Sequence, residues 1–301
     1  MRLAGRFAQE LRTQCGARAG TVKPMPATVP ALVAADTARL RTRAARHARS
    51  LPLAFSGLAV LVIAGMSSLD ANQFWLVVLV PAAGFLATYV TAFALRLPTG
   101  VGVGSDGYGI ALVLSALVAF LVPWIPFTTG APLLLGLGLV VLGLRASDRL
   151  LWVAGLATMA ASYGLAMISS PIDLPLSIPG LVATIALGLG LLVVAGLALR
   201  GERQTLASGD GALSIGDPAT DNLRVLAVLG DADEADQPAL ARLTGVEERN
   251  LAGRLHDLTE AGLVRARITK NRNWAQITRE GREELRTRRE ALRGVAEHRK
   301  A

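Results

Sequence analysis

Between Leu51 and Leu199 the chain runs through apolar segments that a water-soluble fold has no ready way to bury. Six stand out, at about 52–69, 73–95, 108–127, 131–144, 150–168 and 177–199, and none contains Asp, Glu, Lys, Arg or His. A helix needs about 20 apolar residues to cross a bilayer core, so the pattern reads as six membrane-spanning helices. The fourth is short. Its separation from the third rests on PWIPFTTGAP, where Pro123, Pro126, Gly130 and Pro132 favour a turn. Without that turn, Gly107 to Leu144 would be one uncharged run too long for a single crossing. A composition of 52% hydrophobic and 18% charged residues argues against a soluble enzyme for the front two thirds.

The loops give an orientation. With the N-terminus inside, the outer loops near Asp70, around Pro126 and around Asp173 contain no Lys or Arg. The inner loops hold Arg96, Arg145 and Arg149, and the last span exits into Arg200 and Arg203. Basic residues on one side follow the positive-inside rule, so both termini are expected in the cytoplasm. Ionisable residues inside spans mark ion and proton pathways. Their absence disfavours a coupled transporter. Small residues at four-residue spacing (Ala64/Ser68, Ser115/Ala119, Ala160/Gly164, Ala186/Gly190) suit close helix packing. Pro81 is expected to kink the second span.

The net charge of +8 is not spread evenly. Residues 1–50 carry ten Lys/Arg and two acids, while residues 218–301 carry sixteen basic and fourteen acidic residues, a net +2. The high pI is therefore no argument that the C-terminal part binds nucleic acid. Residues 1–50 read as a basic cytoplasmic tail. No apolar core precedes Leu51, and Pro24, Pro26 and Pro30 interrupt the stretch, so it is not a secretory signal. Leu3, Phe7 and Leu11 have the spacing of a short surface helix. Arg39, Arg41, Arg43, Arg46 and Arg49 crowd the first span, where a polybasic run retains the tail inside and favours anionic headgroups.

A single cysteine, Cys15, excludes an intrachain disulfide and a cysteine metal site. His47, His256 and His298 are too scattered to suggest a metal. No nucleophilic triad, carboxylate pair or phosphate loop is present, and the Gly-rich run at Gly100–Gly107 lies between two spans rather than after a strand. No enzyme activity, cofactor or metal is expected.

Residues 201–217 read as a polar, flexible linker. Residues 218–301 then show a folded pattern. Asp217-Pro218 starts a helix with Leu223, Leu226 and Leu229 on one face. Asp236 and Pro238 start a second, with Leu240 and Leu243 inward, and Gly245 turns the chain. A third begins near Val246, with Leu251, Leu255 and Leu258 in register, and Gly262 ends it. Val264, Ala266 and Ile268 alternate with Arg265, Arg267 and Thr269, as in a half-buried strand. A polar turn at Lys270–Asn273 precedes a returning strand with Ala275 and Ile277, and a last helix runs to about His298.

LARLTGVEERNLAGRLHDLTEAGLV followed by ITREG resembles the winged helix-turn-helix of MarR-type and related bacterial transcriptional regulators. The resemblance covers roughly the last 80 residues and none of the apolar part. The expected fold is thus mainly α: a six-span bundle followed by a cytoplasmic winged helix, in a bacterial inner membrane. The resemblance implies a third helix in the major groove and a wing on flanking phosphates. Arg249, Asn250 and Arg254 are the candidate base readers, and Arg267, Lys270 and Arg272 the candidate phosphate contacts. Glu247 and Glu248 at the start of that helix, and the acidic run Asp231, Asp233, Glu234 and Asp236, depart from what DNA favours. Leu285, Leu292 and Val295 form a stripe that either pairs with a second copy in a homodimer or folds back on its own domain. The expected function is a membrane-anchored transcriptional regulator that binds DNA through this winged helix; the alternative is a protein-interaction or dimerisation module that regulates a neighbouring membrane complex.

Overall fold

The computed structural model describes residues 28–66, 74–104, 107–121, 130–168, 178–207, 217–269 and 272–298. It is mainly helical. In chain order its elements are α1 (Thr28–Ala45), α2 (Ser50–Met66), α3 (Phe74–Thr99), α4 (Tyr108–Leu121), α5 (Pro132–Ala146), α6 (Arg149–Ile168) and α7 (Ile178–Ala207). There follow α8 (Pro218–Ala232), β1 (Glu234–Asp236), α9 (Gln237–Thr244), α10 (Glu248–Glu260), β2 (Val264–Thr269), β3 (Arg272–Ile277) and α11 (Arg279–His298). Two compact units emerge. Arg43–Ser208 is one, and the chain up to Thr42 joins the chain from Gly209 onward to make the other.

In the unit Arg43–Ser208, each of α2 to α7 packs on the next, and α7 returns to pack on α2. Four helical stretches are long and apolar enough to cross a membrane: Ala31–Met66, Leu79–Thr99, Arg149–Met167 and Ile178–Ala207. Helices α4 and α5 are apolar but shorter. The outward faces carry Leu86, Val90, Phe93, Val113, Phe120, Leu189, Val193 and Leu197, all exposed. The interior holds buried Thr88, Ser115, Thr158, Ser162 and Thr184. Thr88, Thr158 and Thr184 donate their hydroxyls to the carbonyl four residues back, so they bury no unmet donor. Apolar surface outside and satisfied hydroxyls inside is the arrangement a lipid solvent demands.

Close helix contacts occur at glycines, though not all where the spacing suggested. A Cβ on Gly136 of α5 would lie 2.7 Å from Gly155 O of α6, and one on Gly57 of α2 would lie 2.9 Å from Gly188 O of α7. Backbones approach there because no side chain intervenes. Ser115 and Ala119 are buried as expected. A Cβ on Gly164 or Gly190 would instead meet no packed neighbour within 4 Å among the described residues, and Ser68 lies outside the described residues. Helix α3 continues through Pro81 as one helix.

The polar end of this unit is tightly bonded. Glu202 near the end of α7 is buried. It accepts from Arg49 N at 3.0 Å, Ser50 N at 3.2 Å and Ser50 Oγ at 2.6 Å. Its other neighbour is His47 Nδ1 at 3.1 Å, and His47 adopts φ 53. A carboxylate from the last apolar helix therefore caps the first turn of α2, whose amides have no intrahelical acceptor. Asp148 caps α6 through Leu150 N at 3.0 Å and pairs with Arg49. Arg46 Nη1 donates to Val103 O at 2.7 Å.

Two boundaries differ from the sequence reading. Residues read as a basic tail include α1, a helix tied to the C-terminal elements by ion pairs: Arg39 to Asp231 at 3.5 Å and Arg289 to Asp36 at 2.6 Å. Gly201, where the linker was expected to start, lies instead within α7, which stays helical to Ala207. The Leu3/Phe7/Leu11 spacing and Cys15 lie outside the described residues.

The other unit is built around buried Leu223, Leu226, Leu229, Leu240, Leu243, Leu251, Leu258, Trp274 and Ile277. Asp217 caps α8 through Ala219 N, and Asp236 caps α9 through Ala239 N at 2.9 Å, each with proline at the helix start. Gly245 (φ 70) and Gly262 (φ 73) take the left-handed turns that follow α9 and α10. Strands β2 and β3 form an antiparallel hairpin pairing Ala266 with Ala275, and β1 adds to β3, giving the order β1-β3-β2. Thr278 Oγ1 donates to Gly262 O at 2.8 Å and accepts from Gly281 N at 3.0 Å, which starts α11. Gly281 sits where any Cβ would collide with Leu263 O.

Candidate nucleic-acid interface

Helix α10 is buried along one edge only. Leu251 and Leu258 are buried and Leu255 is half-buried, while Glu248, Arg249, Asn250, Gly253, His256 and Asp257 are exposed. A Cβ on Gly253 would meet no packed neighbour within 4 Å among the described residues. The helix thus offers most of its circumference to solvent, with its core packing confined to the i, i+7 leucine edge.

The three candidate base readers have different environments. Arg249 stands exposed in the first turn. Asn250 is exposed, with its Nδ2 3.5 Å from Glu247 Oε2, a long contact that a base edge can displace. Arg254 is directed inward. Its side chain is 27% exposed and lies 3.7 Å from Asp257. It also acts electrostatically on Asp221 of α8. Burial raises the Asp221 carboxyl above its usual pKa, against Arg224 and Arg254, which lower it. Arg224 is fully buried and donates to Asp221 Oδ1 at 3.3 Å. Arg254 belongs in part to this charge cluster.

The hairpin also sorts its arginines. Arg267 is exposed on β2. Arg265, two residues earlier and on the same face of the strand, is exposed as well, although the sequence reading did not single it out. Arg272 donates from Nη1 to Asp236 Oδ2 at 3.0 Å, holding the start of β3 to the cap of α9. Lys270 lies outside the described residues. The expected inward alternation of β2 fails beyond Val264: Ala266 and Ile268 are exposed, Ile268 by 79%. Period-two patterning shows that residues share a face, but among the described residues no layer of the unit covers this one.

The acidic run that argued against DNA is internally engaged. Asp231 is buried and pairs with Arg39, Asp233 pairs with Arg282, and Asp236 pairs with Arg272. Glu247 and Glu248 remain exposed at the start of α10. The leucine stripe of α11 folds back in part: Leu285 is buried, and a Cβ on Gly230 of α8 would lie 2.7 Å from its Cδ2. Leu292 is half-buried and Val295 is 53% exposed.

None of the five arginines before the first apolar helix is fully exposed: Arg41 and Arg46 are buried, and Arg39, Arg43 and Arg49 are half-buried. Among the described residues, no group of three or more His, Cys, Asp or Glu side chains is placed to hold a metal ion. The chain matches no protein-family model, no curated protein and no solved structure.

Proposed function

We propose that this chain is a membrane-anchored transcriptional regulator. In this reading all six apolar helices cross a bacterial inner membrane, both termini face the cytoplasm, and the C-terminal elements form a winged helix-turn-helix of the MarR-like kind. The basic residues near the membrane set the orientation. Arg39, Arg41, Arg43, Arg46 and Arg49 act first as topogenic charge and ion-pair partners, with anionic headgroups available to whatever guanidinium surface remains.

The observation that carries the reading is the exposure of α10 around a single buried leucine edge, with Arg249 and Asn250 facing solvent. Arg pairs with guanine and Asn with adenine in the major groove. Exposed Arg265 and Arg267 on β2 suit phosphates. The internal pairing of Asp231, Asp233 and Asp236 supports it further by removing negative charge that would oppose a phosphate backbone. A homodimer through the exposed end of α11 would present two such helices to a two-fold operator.

The test is selection of sequences from a random duplex library by the full chain in nanodiscs, followed by titration at low salt. A preferred sequence bound at least about tenfold over random duplex is expected. Binding without sequence preference overturns the reading.

A second reading, a protein-interaction or dimerisation module, draws on exposed Glu247 and Glu248 and on the inward engagement of Arg254. Indifference of function to Arg249→Ala would favour it.

A further inference from the structure

A groove of about 690 Å³ opens on the outer surface of the Arg43–Ser208 unit. Tyr89 of α3 forms one wall. Ile110, Val113 and Leu117 of α4 form the other, and all four side chains are exposed. From residue 110 to 117 the wall rises about 10 Å along the helix axis. At one end the lining includes Gly107 and Arg145, and Arg145 is the charged residue among those described that line the groove. Gly107 adopts φ 90, and a Cβ there would lie 2.7 Å from Arg145 Cδ. The bare glycine is what lets the arginine stem lie across the loop.

The chemistry of the groove narrows its occupant. An apolar wall of this length offers a water-soluble ligand few hydrogen bonds with which to fix an orientation. An anionic phospholipid matches both ends, with a hydrocarbon chain for the wall and a phosphate for the guanidinium. Basic pockets between membrane helices bind anionic headgroups, and arginine suits phosphate because its planar fork donates two parallel hydrogen bonds. We propose that this groove seats one acyl chain of an anionic diacyl phospholipid, with its phosphate at the Arg145 guanidinium. The proposal rests on the membrane reading and is independent of the DNA reading.

The test uses the full chain in nanodiscs of equal phosphatidylglycerol and phosphatidylcholine, followed by extraction into mild detergent and counting of retained lipid by native mass spectrometry. Phosphatidylglycerol is expected to be retained over phosphatidylcholine by about fivefold, the effect of one basic group near the membrane surface. Arg145→Gln removes that preference, while Arg149→Gln, at another inner-loop arginine, leaves it. Val113→Trp obstructs the acyl wall of the groove and lowers retention of both lipids, and Leu117→Trp serves if the first variant does not fold. Equal retention of the two lipids by the unaltered chain overturns the proposal. So does an equal effect of Arg145→Gln and Arg149→Gln, or retention that survives the tryptophans. A chain that stays out of the bilayer overturns the membrane reading and the lipid site with it. No binding preference among duplexes leaves the lipid result untouched.

Discussion

Arg289 Nη2 lies 2.6 Å from Asp36 Oδ1, so a residue of the last helix is bonded to a residue of the first across 253 positions of sequence. Burial lowers the Arg289 pKa, assisted by Arg39 and opposed by Asp36. The side chains are 15% and 48% exposed, so solvent screens the pair in part. Single substitutions Asp36→Ala and Arg289→Ala are expected to destabilise the unit, Arg289→Ala by more because its stem is also packed. A double-mutant cycle read by thermal unfolding should give a coupling of about 0.5–1 kcal/mol. Additive effects would mean that the helices are not joined by this bond.

Arg249→Ala and Asn250→Ala are each expected to cost about 1–3 kcal/mol of specific duplex binding and to relax preference at one base position. Arg254→Ala should act differently, lowering stability more than base preference, because the side chain faces Asp257 and Asp221. Anisotropy titrations against the selected duplex and single-base variants, beside unfolding curves, separate the two effects.

Removing Arg265 or Arg267 should weaken binding evenly across sequences. For every phosphate left without its arginine, the slope of log affinity against log salt should become shallower by about 0.9. Arg272→Ala is expected to destabilise the unit by about 1 kcal/mol through loss of its bond to Asp236. If Arg272→Ala instead changes only the salt slope, its main role is on phosphate.

Glu202→Ala removes the acceptor for two backbone amides and a serine hydroxyl at the start of α2. A cost of about 1–2 kcal/mol follows from the loss of a helix cap. Glu202→Gln keeps one oxygen acceptor and should cost less. Thermal unfolding in detergent measures both, and equal melting of all three proteins would remove the cap from the account of stability.

Gly281→Ala forces a methyl group against Leu263 O. Overpacking of this kind costs about 1–3 kcal/mol. Gly136→Val in α5 should separate α5 from α6 at a comparable cost, since a Cβ there already meets Gly155 O at 2.7 Å. Denaturation of the two variants checks each unit separately.

What the sequence disclosed follows from how local each cause is. The apolar helices were readable because uncharged length is a property of a segment by itself. The ITREG run was readable because Thr278 caps α11 and Gly281 passes under Leu263, two demands met by neighbouring residues. Strand β1 was missed. Its residues, Glu234 to Asp236, are poor strand formers, and pairing with β3 imposes the conformation. The attachment of α1 depends on Asp36–Arg289 and Arg39–Asp231, partners too distant in sequence for any period to reveal. Alternation in β2 identified a shared face for Ala266 and Ile268 but carried no information on whether anything covers it.

The return of α7 onto α2 has a consequence for how the chain is put together. Glu202 meets Ser50, so the apolar bundle begins and ends at neighbouring points. Residues up to Thr42 and residues from Gly209 onward belong to one unit, and the bundle occupies the interval. That is the sequence order of an inserted domain, in which one unit interrupts the chain of the other. The polar unit is thus a single body whose sequence is split in two, and its early part is made before the apolar helices while its late part is made after them.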